Sequence, residues 1–209
     1  MKPSDTVAVE TPIVVLPPKK LDTEVAAPLI IVLHGYGDRP DSYPGLWGGT
    51  ASGAGAVLAI PRGGLRVGNG WGWSGVDEAE AVVHEALRQA SGRYRIDGTR
   101  VVLTGFSQGG FMALAVGLRH PELFAGVIPM AGPYVPEVDA PPAVRGRAPR
   151  FYCMAGTLDS AFTDMRRAAD DFEAAGYQTR MRILPGVGHA FPQPPGPELG
   201  AALRWVLQR

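Results

Sequence analysis

The chain has 209 residues with 20 basic and 20 acidic side chains, so no net field draws it toward nucleic acid or an anionic membrane. Its 28 glycines and 20 prolines approach a disordered composition, but 45% hydrophobic residues suffice for a core, and the length suits one domain spanning 1–209. One cysteine, Cys153, excludes an intramolecular disulfide and a multi-cysteine metal site, and within its strand it reads as a buried apolar residue. No apolar run approaches the roughly 18 residues of a membrane span, and Met1 to Glu10 lacks an apolar leader core. A soluble, cytoplasmic protein is expected.

In chain order, Val7 to Leu16 is β-branched and ends at Pro17-Pro18, as a strand near a sheet edge does. Leu29 to Leu33 and Ala56 to Ile60 are short apolar runs suited to strands buried on both faces. Between and after them lie two Gly-rich stretches, Gly45 to Gly55 and Gly63 to Gly75, which read as candidates for mobility and substrate choice. Asp77 with Glu80 three residues on suggests a capped helix start, followed by an apolar stripe of Ala79, Val82, Val83, Ala86, Leu87 and Ala90.

Arg100 to Gly105 predicts a strand, Gln108 to Arg119 a buried helix, and Phe124 to Met130 and Phe151 to Ala155 two further strands. The Pro-rich connection from Gly132 to Pro149 is too short for a cap domain. Met165, Ala168, Ala169 and Phe172 mark a helix stopped by Gly176; Thr179 to Leu184 is a strand; Leu199, Ala202, Leu203 and Val206 mark a last helix with Pro197 near its start. This alternation predicts an α/β fold: a mostly parallel central sheet with helices on both faces, whose chemistry sits at the C-terminal strand ends.

Gly105-Phe106-Ser107-Gln108-Gly109 is GxSxG placed between a strand and a helix, the setting in which a serine hydroxyl is exposed on a strained turn. Ser107 is the candidate nucleophile and needs a base. Of the four histidines, His84 reads as a solvated helix residue, His120 as a helix C-terminal residue near carbonyls, and His34 as a hydrogen-bonded residue shaping a turn. His189 follows the Thr179 to Leu184 strand in a loop with Gly186 and Gly188, and is the candidate base. Asp159, four residues past the Phe151 to Ala155 strand, completes the chain order Ser, Asp, His. Oxyanion donors are expected from the backbone N–H groups of Tyr36, in Leu33-His34-Gly35-Tyr36-Gly37, and of Gln108.

With LHGYGD (33–38), GFSQGG (105–110), GTLD (156–159) and GVGH (186–189) in this order, the chain resembles the phospholipase/carboxylesterase family of α/β-hydrolases, which includes small bacterial carboxylesterases and acyl-protein thioesterases. The resemblance implies the same triad and oxyanion donors. Where that family commonly has a residue such as Leu, this chain has Tyr36; where it often has Val-Pro after the aspartate, this chain has Ser160-Ala161-Phe162. Both positions are expected to look onto substrate. Trp71, Trp73, Phe162 and Phe191 are candidate substrate walls, with core packing as the other reading of the tryptophans. The expected activity is hydrolysis of short- to medium-chain carboxylic esters through an acyl-enzyme, with thioesters or lysophospholipids as the alternative. It calls for a small-molecule ester, no cofactor and no metal, in a monomer or homodimer.

Overall fold

The computed structural model describes residues 12–136, 141–144 and 147–208. In chain order these form β1 (Ile13–Leu16), β2 (Ala27–Leu33), α1 (Tyr43–Gly53), β3 (Val57–Pro61), the short strands β4 (Leu65–Val67) and β5 (Gly70–Gly72), α2 (Val76–Arg93) and β6 (Ile96–Phe106). There follow α3 (Gln108–Arg119), β7 (Gly126–Met130), β8 (Arg150–Gly156), α4 (Phe162–Ala174), β9 (Thr179–Leu184) and α5 (Pro195–Leu207). The elements match the expected alternation, with α1 and the β4–β5 hairpin added. The Val7 to Thr11 part of the first expected strand lies outside the described residues.

Seven strands form one sheet in the order β1-β3-β2-β6-β7-β8-β9. β1 runs antiparallel at one edge, and every other neighbouring pair is parallel. The order reverses direction between β2 and β6, the switch point at which open α/β sheets form a crevice. The strand period of two divides the core. Leu29, Ile31 and Leu33 of β2 face a cluster with Val82, Met112 and Met165 of α2, α3 and α4, while Ile30 and Val32 face Trp47 and Leu199 of α1 and α5. Both faces are covered, so the buried stretches of the central strands are mostly apolar and β2 is wholly buried.

The helix α1 occupies the Gly45 to Gly55 stretch that the sequence left without an element. Tyr43, Trp47 and Ala51 recur every four residues and are buried, and this stripe holds four helical glycines in register. The start of α2 also differs from expectation. Gly75 takes the N-cap position and Asp77 makes no cap bond; the carboxylate of Glu78, one turn in, accepts from the backbone N–H of Ser74 at 2.6 Å and also from its hydroxyl and the N–H of Gly64. Cys153 is buried in β8, and burial alone pushes its thiol up to about 12.

After β7 the chain returns to the far end of the sheet. Tyr134 donates its hydroxyl to Asp171, the Val144 N–H bonds Ala175 O, and the Arg147 guanidinium reaches Thr99 O near the start of β6. These described parts of the connection are thus tied to α4, to the residue that follows it and to β6.

Helix α5 meets the sheet at Gly126, where a β-carbon would stand 2.3 Å from Cβ of Val206. We therefore expect Gly126→Ala to destabilise the fold by about 1–3 kcal/mol through overpacking. Urea unfolding of the wild type and this variant checks this; an unchanged midpoint for Gly126→Ala would contradict the packing described.

Candidate active site

Ser107 joins β6 to α3 with φ 55° and ψ −122°, a left-handed conformation that a serine holds only when its surroundings impose it. Its N–H bonds Met130 O at 2.9 Å, and its carbonyl accepts the N–H of Phe111 at 3.1 Å. The turn closes tightly because Gly105 and Gly109 touch across it: a β-carbon on Gly105 would lie 2.1 Å from Gly109 O, and one on Gly109 would lie 2.2 Å from Leu33 O. The GxSxG spacing is therefore a steric requirement at this junction.

His189 is carried by the loop after β9, and its Nε2 lies 2.9 Å from Ser107 Oγ. Its Nδ1 lies 3.0 Å from both carboxylate oxygens of Asp159. Asp159 is fixed in turn: Oδ1 accepts the Ala161 N–H at 2.8 Å, and its side chain is almost wholly buried, whereas that of His189 is 46% exposed. A buried carboxylate facing Nδ1 makes that nitrogen the donor and leaves Nε2 to accept the serine O–H. The three side chains, spread over 82 residues of sequence, form one hydrogen-bonded line.

The loop after β2 is braced at every residue around Tyr36. The Gly35 N–H is shared by Asp38 Oδ2 at 3.0 Å and Tyr43 Oη at 3.1 Å; Tyr43 donates to the same Asp38 oxygen at 2.7 Å; and the Gly37 N–H bonds Trp71 O at 2.8 Å. Burial, then the bond to Asp38, raise the Tyr43 hydroxyl well above its ordinary range, so it remains a donor. Among the described residues the N–H groups of Tyr36 and Gln108 have no hydrogen-bond partner. The Gln108 side chain clamps the end of the hairpin, accepting from the Trp73 N–H at 3.0 Å and donating to Trp73 O at 2.8 Å.

The structure redistributes the expected substrate walls. Trp73 is 1% exposed; its indole N–H is given to His34 O at 2.8 Å and its ring stacks on His34, so it packs in the core beneath the loop. Trp71 points away from Ser107. Its neighbours Gly70 and Gly72 face Gly37, Tyr36 and Gln108, while strand alternation turns the Trp71 ring outward between the guanidinium groups of Arg62 and Arg66, 3.8 and 4.8 Å from its centroid. Phe162 is half-buried against the α2–α4 side of the core. Phe191 stays near the site: it stacks on Phe106 at 4.6 Å, and Phe106 packs against the His189 ring at 4.9 Å. The Tyr36 side chain is exposed.

Asp38, Tyr43 and the Gln108 amide were not singled out from the sequence, although the first closes the LHGYGD motif and the last lies inside GFSQGG. The histidines outside the line divide as follows. His34 shapes its turn as expected, and His84 is exposed. The His120 ring meets the carboxylates of Glu80 at 3.0 Å and Glu122 at 3.7 Å rather than helix carbonyls, because Glu80 and Glu122 flank the end of α3.

The family model described as "Putative esterase" matches residues 4–193. The chain belongs to this esterase family. Among curated relatives it is similar to "Putative esterase NocK" of Nocardia uniformis subsp. tsuyamanensis, 38% identical over 131 residues, covering 56% of this chain and 35% of that one. It is also similar to the bifunctional acetylxylan esterase/xylanase XynS20E of Neocallimastix patriciarum, 31% identical over 111 residues, covering 52% and 16%. The matches thus span about a third or less of those relatives' lengths. Among solved structures, esterase PE8 superposes with a TM-score of 0.71 at 24% identity over 95% of this chain and 100% of that one. The phospholipase/carboxylesterase of Dyadobacter fermentans DSM 18053 does so at 0.71 and 15% identity, over 93% and 96%. The fold is that of these α/β-hydrolases.

His34 offers a test of the bracing. Its buried ring donates through Nδ1 to Gly35 O at 2.8 Å and accepts the Gly63 N–H through Nε2 at 2.9 Å, so a second proton would oppose a donor. Burial lowers its pKa below 6.5 in the folded state. Because the unfolded chain then binds the proton more readily, the stabilising contribution is complete above about pH 6.5 and declines as pH falls through the lowered value. We expect the stability of wild-type protein to fall more steeply than that of His34→Gln as pH drops below about 6.5 in urea titrations. Parallel pH curves would contradict a neutral buried His34.

Proposed function

We propose that this protein is a serine carboxylesterase in which Ser107 is the nucleophile, His189 the general base and acid, and Asp159 the carboxylate that orients the base and stabilises its cation. The hydrogen-bonded line from Asp159 to Ser107 Oγ, ending on a left-handed strand-to-helix turn, carries this reading. In it, Ser107 Oγ attacks the ester carbonyl while its proton passes to His189 Nε2. The carbonyl oxygen becomes an oxyanion held by the free N–H groups of Tyr36 and Gln108, with the N-terminal end of α3 behind them. Collapse expels the alcohol, protonated by His189, and leaves an acyl-enzyme. Water, deprotonated by the same Nε2, attacks the acyl carbon and releases the acid and Ser107. Each proton taken by the histidine is returned, so the cycle needs no cofactor.

The surroundings favour short to medium acyl groups. Beside the site, the space lined by Phe106, Met130, Ala131, Gly156, Leu184 and Phe191 amounts to about 10 Å³, roughly one water's worth, and cannot take a long chain. A groove of about 650 Å³ lies between α1 and α5 and contains none of the proposed catalytic residues. Phe191 and Tyr36 are the aromatic surfaces that an ester would meet at this site. We read residues 1–209 as one uncapped hydrolase domain acting on small esters; with its single buried thiol it suits the cytoplasm. Within the described residues no helix is long and apolar enough to cross a membrane.

Ser107→Ala should lower kcat/KM for p-nitrophenyl butyrate by at least about 10³-fold while leaving the urea midpoint at or above that of the wild type. Across acyl lengths, butyrate should exceed palmitate. Activity retained in Ser107→Ala would overturn the mechanism, and a palmitate optimum would overturn the substrate reading.

A further inference from the structure

We propose that Glu80, His84 and His120 form a binding site for a divalent transition-metal ion of the zinc type, joining α2 to the C-terminal end of α3. Glu80 and His84 are four residues apart and therefore share one face of α2. His120 caps α3 and brings its ring between them: Nε2 lies 3.0 Å from Glu80 Oε1, and the His84 and His120 rings meet edge to face with centroids 5.0 Å apart. One ligand atom from each residue lies within 4.8 Å of the other two. Ligands bound to zinc at 2.0–2.1 Å in a tetrahedron stand about 3.3 Å apart, so modest rotation of the exposed His84 side chain closes the set.

Three further features fit a cation rather than a chance cluster. The two oxygens of Glu80 are divided: Oε2 accepts from Arg119 at 2.8 Å, which fixes the carboxylate, and Oε1 is left facing the His120 imidazole. On the far side of His120, Glu122 Oε1 lies 3.7 Å from Nδ1, beyond hydrogen-bond length but close enough that a small side-chain movement would let the carboxylate support a metal-bound imidazole through its other nitrogen. The site also lies at the end of α3 where the last carbonyls leave partial negative charge. Two imidazoles and one carboxylate suit zinc, nickel or copper over magnesium or calcium, and a fourth position is open to water.

Such an ion would act on the fold and not on the ester. Ser107 begins α3 and His120 ends it, a helix of 12 residues, so the two sites are about 18 Å apart along its axis. The ion would clamp the outer ends of α2 and α3.

The test uses the full chain after chelator treatment and dialysis. ZnCl2 titrated calorimetrically should bind the wild type and Ser107→Ala alike with one saturable site, and should raise Tm by several degrees. His84→Ala, exposed and outside the core, should keep the metal-free Tm while weakening zinc binding at least tenfold; His120→Ala should weaken it similarly, and MgCl2 should have no effect. Co2+ in place of zinc should give visible absorption bands that are absent in His84→Ala. The proposal is overturned if wild-type protein shows no saturable zinc binding, or binds zinc equally well as His84→Ala. Binding equal in wild type and Ser107→Ala, with or without esterase activity in the former, keeps this result separate from the catalytic assignment.

Discussion

The left-handed turn at Ser107 is the constraint on which the site depends. A strand cannot pass into a helix through a single residue at φ 55° unless the neighbouring backbone comes very close, and Gly105 and Gly109 let it do so. The hydrogen bond from Ser107 N–H to Met130 O ties the turn to the next strand, and the apolar burial of α3 pins the helix that follows. The strain, of order 1–3 kcal/mol, is offset by this packing. Its consequence is positional: the hydroxyl stands above the sheet, and the first N–H of α3 is left free beside it.

The remaining loops supply partners to that fixed point. β2, β6, β8 and β9 end level with one another, as the pairs Leu33 with Gly105 and Gly156 with Leu184 show. Their following loops therefore converge from both sides of the turn. On one side, Asp38, Tyr43 and Trp71 satisfy the N–H groups flanking Tyr36, and the Gln108 amide locks the hairpin to the elbow. On the other side, Asp159 is held by its own turn and orients the half-exposed His189, whose ring rests on Phe106 and, through it, Phe191. Rigid surroundings and one exposed imidazole suit a site where a single side chain must exchange protons with solvent-borne reactants.

How much of this could be read in advance follows from what each residue answers to. The buried strands were legible because sheets covered on both faces demand continuous apolar runs, and α3 was legible because its apolar residues extend around most of its surface. The line Ser107, Asp159, His189 was legible because each residue lies on the short connection that follows a strand. The helix α1 was hidden: its four glycines mask a stripe of Tyr43, Trp47 and Ala51 that is stable only once packed against β2 and β3. Trp73 and Trp71 were ambiguous because a tryptophan two residues from another in a Gly-rich stretch gives no sign of which face is buried; the hairpin's pairing with the loop at Asp38 decides it. Glu80, His84 and His120 looked unrelated because a helix face and a distant helix end become neighbours only in the folded chain.

The central claim is that Ser107 forms a covalent acyl-type intermediate through activation by His189. Intact-mass and peptide analysis after treatment with a fluorophosphonate tests it most directly. The account predicts one adduct per chain, on the peptide containing Ser107, formed at least about 10²-fold more slowly in His189→Ala. No adduct on folded protein, or an adduct on another residue, would contradict it.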